Sequence, residues 1–140
     1  MNRNEIMTMT AEELRLAIAK AKGLDVRRAR DIPELLPGLH EPGLYKGLAE
    51  WITTETLILC NGGAPWFPPH WTTSIADAWE LMEEIAAKDY PIPGICRMDE
   101  NDNWNCYYRF AGDQGIEIVE ADTAPLAICR AWLLWKTEAE

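Results

Sequence analysis

A chain of 140 residues with 48% hydrophobic and 26% charged side chains fits one globular domain and excludes wholesale disorder. Its formal net charge of -10 argues against sequence-independent binding to nucleic acid, because such binding needs a basic surface. No apolar stretch approaches the roughly 18 residues that a membrane span requires, and the first residues lack the pattern of a secretion signal, so we expect no membrane contact and an intracellular protein.

The N-terminal residues predict one helix, followed by a long irregular segment. Thr10 and Glu13 form a capping box, and a glycine follows the helix as a stop. Apolar residues at helical spacing lie in between: Leu14, Ala17, Ile18 and Ala21. Repeated prolines and glycines over residues 24–70 then indicate loops, which we interpret as an irregular insertion in a single domain of residues 1–140. Within it, β-branched and apolar residues at 52–60 predict a strand.

The clearest predicted helix covers residues 72–87, where hydroxyl side chains stand at the start as caps. Its apolar residues fall on one stripe at helical spacing: Ile75, Trp79, Met82 and Ala86. We therefore predict that Trp79 is largely buried against a sheet, together with Ile75 and Met82. Acidic residues occupy the positions that this assignment leaves to solvent: Asp77, Glu80, Glu83 and Glu84.

Residues 94–120 predict three consecutive antiparallel strands. Apolar and polar residues alternate along 104–110, and the turns between the strands are too short for a parallel crossover. A helix over 124–136 follows, capped at Asp122 or Thr123. Elements in this order predict an α+β fold, in which an antiparallel sheet is covered by helices in an αβα sandwich. The sheet would consist of the three-strand meander, with room for an extra strand.

The four cysteines show no metal-binding pattern. Cys60, Cys96, Cys106 and Cys129 form no CxxC pair, and no histidine lies at a ligand spacing from them. We therefore expect no metal and no cofactor. Cys129 falls inside the last predicted helix, where a small buried apolar side chain is the expected role.

Two long segments carry a resemblance to a known family. The sequence HWTTSIADAWELMEEI, followed by strands and then ADTAPLAICRAWL, resembles the small phage αβα-sandwich domain found in uncharacterised proteins of bacterial viruses. Family members carry a similar (S/T)TDIAxAWxxxE helix and a similar ADTxxxAICxAxL helix, and MTAEELRLAIAKAKG looks like their first helix. The resemblance implies the fold, a bacteriophage or prophage origin, and the host bacterial cytoplasm as the location. It supplies no reaction and no catalytic residues.

A proline-rich loop and its surroundings supply the candidate ligand site. Three aromatic rings, Trp66, Phe67 and Trp71, can stack on a base or another flat ligand, or else cover a sheet edge. The hydroxyls of Thr72 and Thr73 lie where helix N–H groups favour phosphate, although capping is their ordinary role. The arginines that would offset the overall negative charge at such a site are Arg27, Arg28, Arg30 and Arg109.

Catalysis has little support in the sequence. His40 and His70 sit in loops outside any nucleophile motif, and there is no P-loop or GxGxxG. Our first hypothesis is a non-enzymatic phage accessory protein with an anti-defence role, which acts as a sponge for a small anionic nucleotide signal of host immunity. The alternative is a protein-interaction adaptor that blocks a host protein through its acidic surface. The third hypothesis is a small hydrolase.

The last predicted helix also indicates self-association. Trp132 and Trp135 exceed what one buried stripe of a covering helix needs, so we expect them at a subunit contact. Together with the loop aromatics they offer more apolar surface than one small domain leaves exposed. We therefore predict a homo-oligomer, with a dimer as the first expectation.

Overall fold

The computed structural model describes residues 2–28, 31, 56–60, 67–88, 93–97, 103–109 and 116–139 of the chain. These residues fall into two compact units. The larger unit comprises Met1–Ala21 and Pro69–Glu140, and the smaller one comprises Lys22–Pro68. The smaller unit covers nearly the same residues as the insertion predicted at 24–70.

The larger unit combines helices with a three-stranded sheet. Its described elements, in chain order, are α1 (Arg3–Thr8), α2 (Ala11–Ala21), α3 (Ile75–Lys88), β3 (Gly94–Arg97), β4 (Trp104–Arg109), β5 (Ile116–Ala121) and α4 (Ala124–Ala139). The smaller unit contributes β1 (Val26–Arg28) and β2 (Leu57–Leu59). Helices with antiparallel sheets confirm the predicted α+β fold. In the part of the chain that the structure describes, no helix has the length and apolar character to cross a membrane.

The three-stranded sheet has the order β3-β4-β5, and both pairs of strands are antiparallel. Cys106 pairs with Ile95 on one side and with Val119 on the other, so these three side chains share one face of the sheet. Tyr107 and its partner Ile118 lie on the opposite face. This arrangement confirms the predicted meander.

The strand predicted at 52–60 is present as Leu57–Leu59, but it belongs to a second sheet. It pairs antiparallel with β1, and Val26 lies opposite Leu59. The Cys60 N–H extends the pairing, because it donates to the Asp25 carbonyl at 2.7 Å. Among the described residues, the extra strand predicted beside the meander is therefore paired within the smaller unit instead.

Helix α4 is the centre of the larger unit. It contacts α1, α2, α3 and every strand of the three-stranded sheet. Residues 127–129 and 131–135 are all buried. Because neighbours surround α4, the helix needs apolar residues on nearly every side. The helix covers the sheet as predicted, but its buried surface is wider than the single stripe that the sequence predicted.

The two tryptophans of α4 on which the predicted subunit contact depended are core residues. Trp132 is 0% exposed, and its Nε1 donates a hydrogen bond to Glu84 Oε2 of α3 at 2.8 Å. Trp135 is also buried, and Lys88 Nζ lies 5.9 Å from the centre of its ring. Neither tryptophan is accessible to another subunit, so the prediction that they form a subunit contact is wrong, and the homo-oligomer itself stays a prediction.

Helix α3 lies where the sequence predicted it, but it presents a different face to the core. Its buried residues are Ala78, Leu81, Met82 and Ile85. Trp79 and Ile75 are 47% and 50% exposed, so the prediction of a buried Trp79 is wrong. The observed face buries Leu81 and Ile85, and the hydrogen bond from Trp132 to Glu84 is consistent with it, because Glu84 lies on the side of α3 that faces α4.

Arginine side chains cap the backbone of β5, an edge strand of the three-stranded sheet. Arg3 Nη2 donates to the Ile118 carbonyl at 3.2 Å, and Arg130 Nη1 donates to the Glu120 carbonyl at 2.9 Å. Arg3 also forms an ion pair with Glu117. Carbonyls that already accept a hydrogen bond are poor acceptors for a strand of another molecule. The two arginines therefore protect this edge against intermolecular pairing.

Replacing both Arg3 and Arg130 with alanine is expected to lower the free energy of unfolding by about 1 to 2 kcal/mol and to increase aggregation. Two hydrogen bonds to backbone carbonyls are lost, and the edge of β5 opens. Urea denaturation measures the stability, and light scattering at rising protein concentration measures the aggregation. Lys22→Ala with Lys88→Ala removes the same charge at positions outside β5. Equal aggregation of the two double variants would show that charge, and not edge capping, controls association.

Candidate functional site

The aromatic loop predicted as a stacking platform does not present Trp71 to solvent. Trp71 is only 2% exposed, and its carbonyl oxygen lies 3.1 Å from Cys129 Sγ of α4, which donates to it. The indole is therefore part of the core of the larger unit, and the prediction that it stacks on a ligand is wrong. Phe67 belongs to the smaller unit and is half-buried, while Trp66 lies outside the described residues.

The predicted phosphate position at the start of α3 is occupied by the protein's own groups. Thr72 is buried, and Thr73 is exposed. Ser74 Oγ accepts from the Asp77 N–H at 3.3 Å, and Asp77 Oδ2 accepts from the His70 N–H at 2.8 Å. A carboxylate beside the helix start repels an anion, and the Asp77 N–H of the first turn already has an acceptor. This end of α3 is a capped helix rather than an anion site.

Two of the four predicted arginines have described side chains, Arg27 and Arg28. Arg27 lies on β1 and forms two hydrogen bonds with Asp25, from Nε to Oδ1 at 3.1 Å and from Nη2 to Oδ2 at 3.0 Å. Arg28 lies on the same strand, and both belong to the smaller unit. Arg30 and the side chain of Arg109 lie outside the described residues. The convergence of arginines on one ligand therefore stays a prediction.

One candidate site in the described part of the larger unit is an open groove between α2 and the end of α4. It holds about 500 Å³ of space and is lined by Met9, Glu13, Leu16, Ala17, Lys20, Ala21, Leu133, Lys136 and Thr137. The α2 residues of this set recur at intervals of three and four positions, and so do those of α4. Each helix therefore contributes one continuous stripe to the groove.

Two different stripes of α2 explain why the groove exists. Leu14 and Ile18 are fully buried and attach α2 to the rest of the unit. The neighbouring stripe contains Ala17 and Ala21, whose methyl groups fill much less space than leucine side chains would. Leu16, Ala17 and Ala21 are half-buried and form the apolar floor of the groove, which the buried Leu133 borders.

The charges at the groove differ from those of the chain as a whole. Lys20 is exposed and Lys136 is half-buried, and neither forms an ion pair with any described residue. Glu13 lines the groove at the other end of α2, where its Oε2 accepts from the Thr10 N–H at 3.4 Å and its own N–H donates to Thr10 Oγ1 at 3.2 Å. The groove thus offers two lysines to a ligand in a chain of net charge -10.

Sequence reasoning missed this groove, although one signal was present. Leu16 lies outside the apolar stripe that runs through Leu14 and Ile18, so α2 has more apolar surface than its buried face requires. Ala17 and Ala21 also line the groove, but the sequence predicts them on the same apolar stripe as Leu14 and Ile18. The contribution of α4 could not be predicted, because it depends on which helices pack together.

The two buried cysteines are chemically inert. Burial, together with the nearby Cys96, raises the pKa of the Cys106 thiol to about 12. Burial also raises the pKa of Cys129, with a smaller contribution from Cys106. Neither thiol forms a thiolate at neutral pH, so neither is an effective nucleophile or metal ligand. Among the described residues, no three histidine, cysteine or acidic side chains are grouped as a metal site.

Comparisons with known proteins agree with the fold. A solved structure of a phage protein from Bacillus cereus ATCC 14579 has a TM-score of 0.57 to this chain, covers 91% of it and 93% of its own length, and shares 18% identity. No curated protein matches the chain. The model of the phage ABA sandwich domain matches residues 40–133, which is more than half of the 140 residues. The resemblance carried by the two helices is confirmed, and the chain belongs to the phage ABA sandwich domain family.

Proposed function

We propose that this phage protein is a non-enzymatic binding protein of the host cytoplasm, which captures an acidic amphipathic helix of a partner protein between α2 and α4. The observation that carries this proposal is the apolar groove flanked by Lys20 and Lys136. Burial raises the pKa of Cys106 and Cys129, which argues against these two thiols as hydrolase nucleophiles. The role corresponds to that of an adaptor or inhibitor of a host protein.

The shape of the groove favours a helix as its occupant. The lining stripe of α2 runs from Glu13 to Ala21, a length of about 12 Å at 1.5 Å per residue. Two packed helices with an uncovered apolar seam offer a third helix the ridges and grooves that helix packing needs. Ala17 and Ala21 permit close approach of its backbone. Between two and three turns of an amphipathic helix would cover the floor.

The charges favour an acidic occupant with a defined orientation. Most of the surface of a chain with net charge -10 repels an acidic helix, whereas Lys20 and Lys136 attract it at the groove. Exposed ion pairs contribute only about 0.2 to 1 kcal/mol each. Burial of the apolar face must therefore supply most of the affinity, while the lysines determine where and in which direction the helix binds.

A synthetic acidic peptide of about three helical turns, with leucines on one face and glutamates beside them, is expected to bind the protein. Fluorescence anisotropy of the labelled peptide measures the affinity, and NMR shifts of the labelled protein locate the site. Lys20→Glu with Lys136→Glu is expected to weaken binding about tenfold or more. A peptide with lysines in place of the glutamates should bind worse to the wild type.

The matched control for this experiment is Lys88→Glu with Arg97→Glu. This double variant changes the charge by the same amount at exposed positions outside the groove. It should bind the acidic peptide almost as the wild type does. Equal losses in the two double variants would contradict the groove as the site, and so would NMR shifts confined to other surfaces.

Sequestration of a small anionic nucleotide is the second candidate, and the size of the groove favours it. A volume of about 500 Å³ lies within the range of small-molecule sites, and two lysines suit a phosphate. Such a sponge for a host immune signal would give the protein an anti-defence role. Calorimetry against cyclic di- and trinucleotides and cyclic ADP-ribose isomers tests it. Binding that Lys20→Glu with Lys136→Glu abolishes would support sequestration, and no binding across the panel would exclude it for these signals.

A further inference from the structure

Helix α3 carries an exposed surface with the chemistry that the groove selects. Ile75 and Trp79 are about half exposed, one turn apart, although both are large and apolar. Glu80 and Glu83 are exposed on the same outward side of the helix. These four residues, which we call the α3 stripe, form an acidic amphipathic helix surface that faces solvent in the described larger unit.

We infer that the α3 stripe of one copy docks in the α2–α4 groove of a second copy. This inference rests on the proposed function. It identifies a second copy of this chain as one partner that binds in the groove. Ile75 and Trp79 would lie on the apolar floor formed by Leu16, Ala17 and Ala21. Glu80 and Glu83 would face Lys20 and Lys136, neither of which has an ion-pair partner among the described residues.

The charge pattern selects this contact over a symmetric one between two α3 stripes. A symmetric contact would bring Glu80 and Glu83 of one copy against the same glutamates of the other. Like charges in a partly desolvated contact repel each other, and the net charge of -10 on each chain adds to that repulsion. Docking in the groove instead pairs the glutamates with lysines.

The two surfaces do not overlap on one chain. No residue of the α3 stripe lines the groove, so a single copy presents both surfaces at the same time. A contact between two different surfaces is heterologous, and it continues from copy to copy until a ring closes or a chain of copies grows. The expected product is therefore a concentration-dependent series of oligomers rather than a fixed dimer.

Sedimentation velocity of two charge-reversed variants, alone and mixed, tests the inference. The first variant is Lys20→Glu with Lys136→Glu, and the second is Glu80→Lys with Glu83→Lys. In each variant alone, the groove and the α3 stripe have the same sign of charge, so association at high micromolar concentration should be lost. In an equimolar mixture, each groove meets a stripe of opposite charge, and association should return.

The wild type should associate at the same concentration, and Trp79→Ser should associate less while it keeps the circular-dichroism spectrum of the wild type. A monomeric wild type at high micromolar concentration would overturn the inference, as would a mixture of the two variants that stays monomeric. If the acidic peptide still binds the groove in that case, only the docking between copies is rejected and the proposed function stands. If the peptide does not bind either, the docking between copies and the proposed function are both rejected. Displacement of associated copies by the peptide would support both.

Discussion

Replacing Trp132 with alanine is expected to lower the free energy of unfolding by about 3 to 5 kcal/mol, as truncation of large buried aromatic residues does. Trp132 is 0% exposed and lies on α4, the helix that contacts every other helix and strand described in the larger unit. The substitution leaves a cavity at this position and removes the indole donor to Glu84. Since small proteins are stable by only about 5 to 15 kcal/mol, the variant should lose a large share of its stability. Urea denaturation measures the loss.

The chain offers a matched control on the neighbouring helix. Trp79→Ala is the same substitution at a side chain that is 47% exposed, and we expect it to cost about 1 kcal/mol. Trp132→Phe keeps an aromatic ring in the core but removes the second ring of the indole and the hydrogen bond to Glu84, so its cost should be intermediate. Similar losses for Trp132→Ala and Trp79→Ala would contradict the central position of α4.

When the folded protein is alkylated, two of the four cysteines are expected to react fast and the other two very slowly. Cys60 and Cys96 are exposed, whereas Cys106 and Cys129 are buried. A shift of the Cys106 pKa from 9.0 to about 12 leaves about a thousandfold less thiolate at pH 8. Mass spectrometry after a short pulse of iodoacetamide measures each rate. Comparable rates at all four cysteines in the folded protein would contradict the burial of Cys106 and Cys129.

The same pKa shift makes the stability of the folded protein decrease at alkaline pH. The folded protein holds the proton of Cys106 more tightly than the unfolded chain does. The stabilisation is therefore fully present below the ordinary pKa of 9.0 and is lost as the pH rises towards about 12. Cys106→Ala and Cys129→Ala together should flatten the decline in urea midpoint over that interval.

Local signals in the sequence predicted the elements of the fold. The capping box of Thr10 and Glu13 is present with both of its hydrogen bonds. The short turn after β3 permitted only antiparallel pairing with β4, which the register confirms. Such features depend on residues within a few positions of each other, so they can be predicted from short segments of the sequence.

Features that depend on distant residues could not be predicted in the same way. Two stripes of α3 have helical spacing, and packing against α4, which is distant in the chain, determines which one is buried. The predicted ligand site failed at Trp71 for a similar reason, because its contact with Cys129 joins positions far apart in the chain. The groove between α2 and α4 was missed because only the folded chain places the two stripes side by side.

The position of α4 along the chain also determines when the larger unit can fold during synthesis. Ile6, Leu14 and Ile18 leave the ribosome early, yet α4, which contacts their helices, is translated after every other described element. At roughly 5 to 20 residues per second, these apolar side chains wait several seconds for their partner. Nascent chains stalled before residue 124 should therefore expose them to chaperones and proteases, and chains that extend past α4 should not.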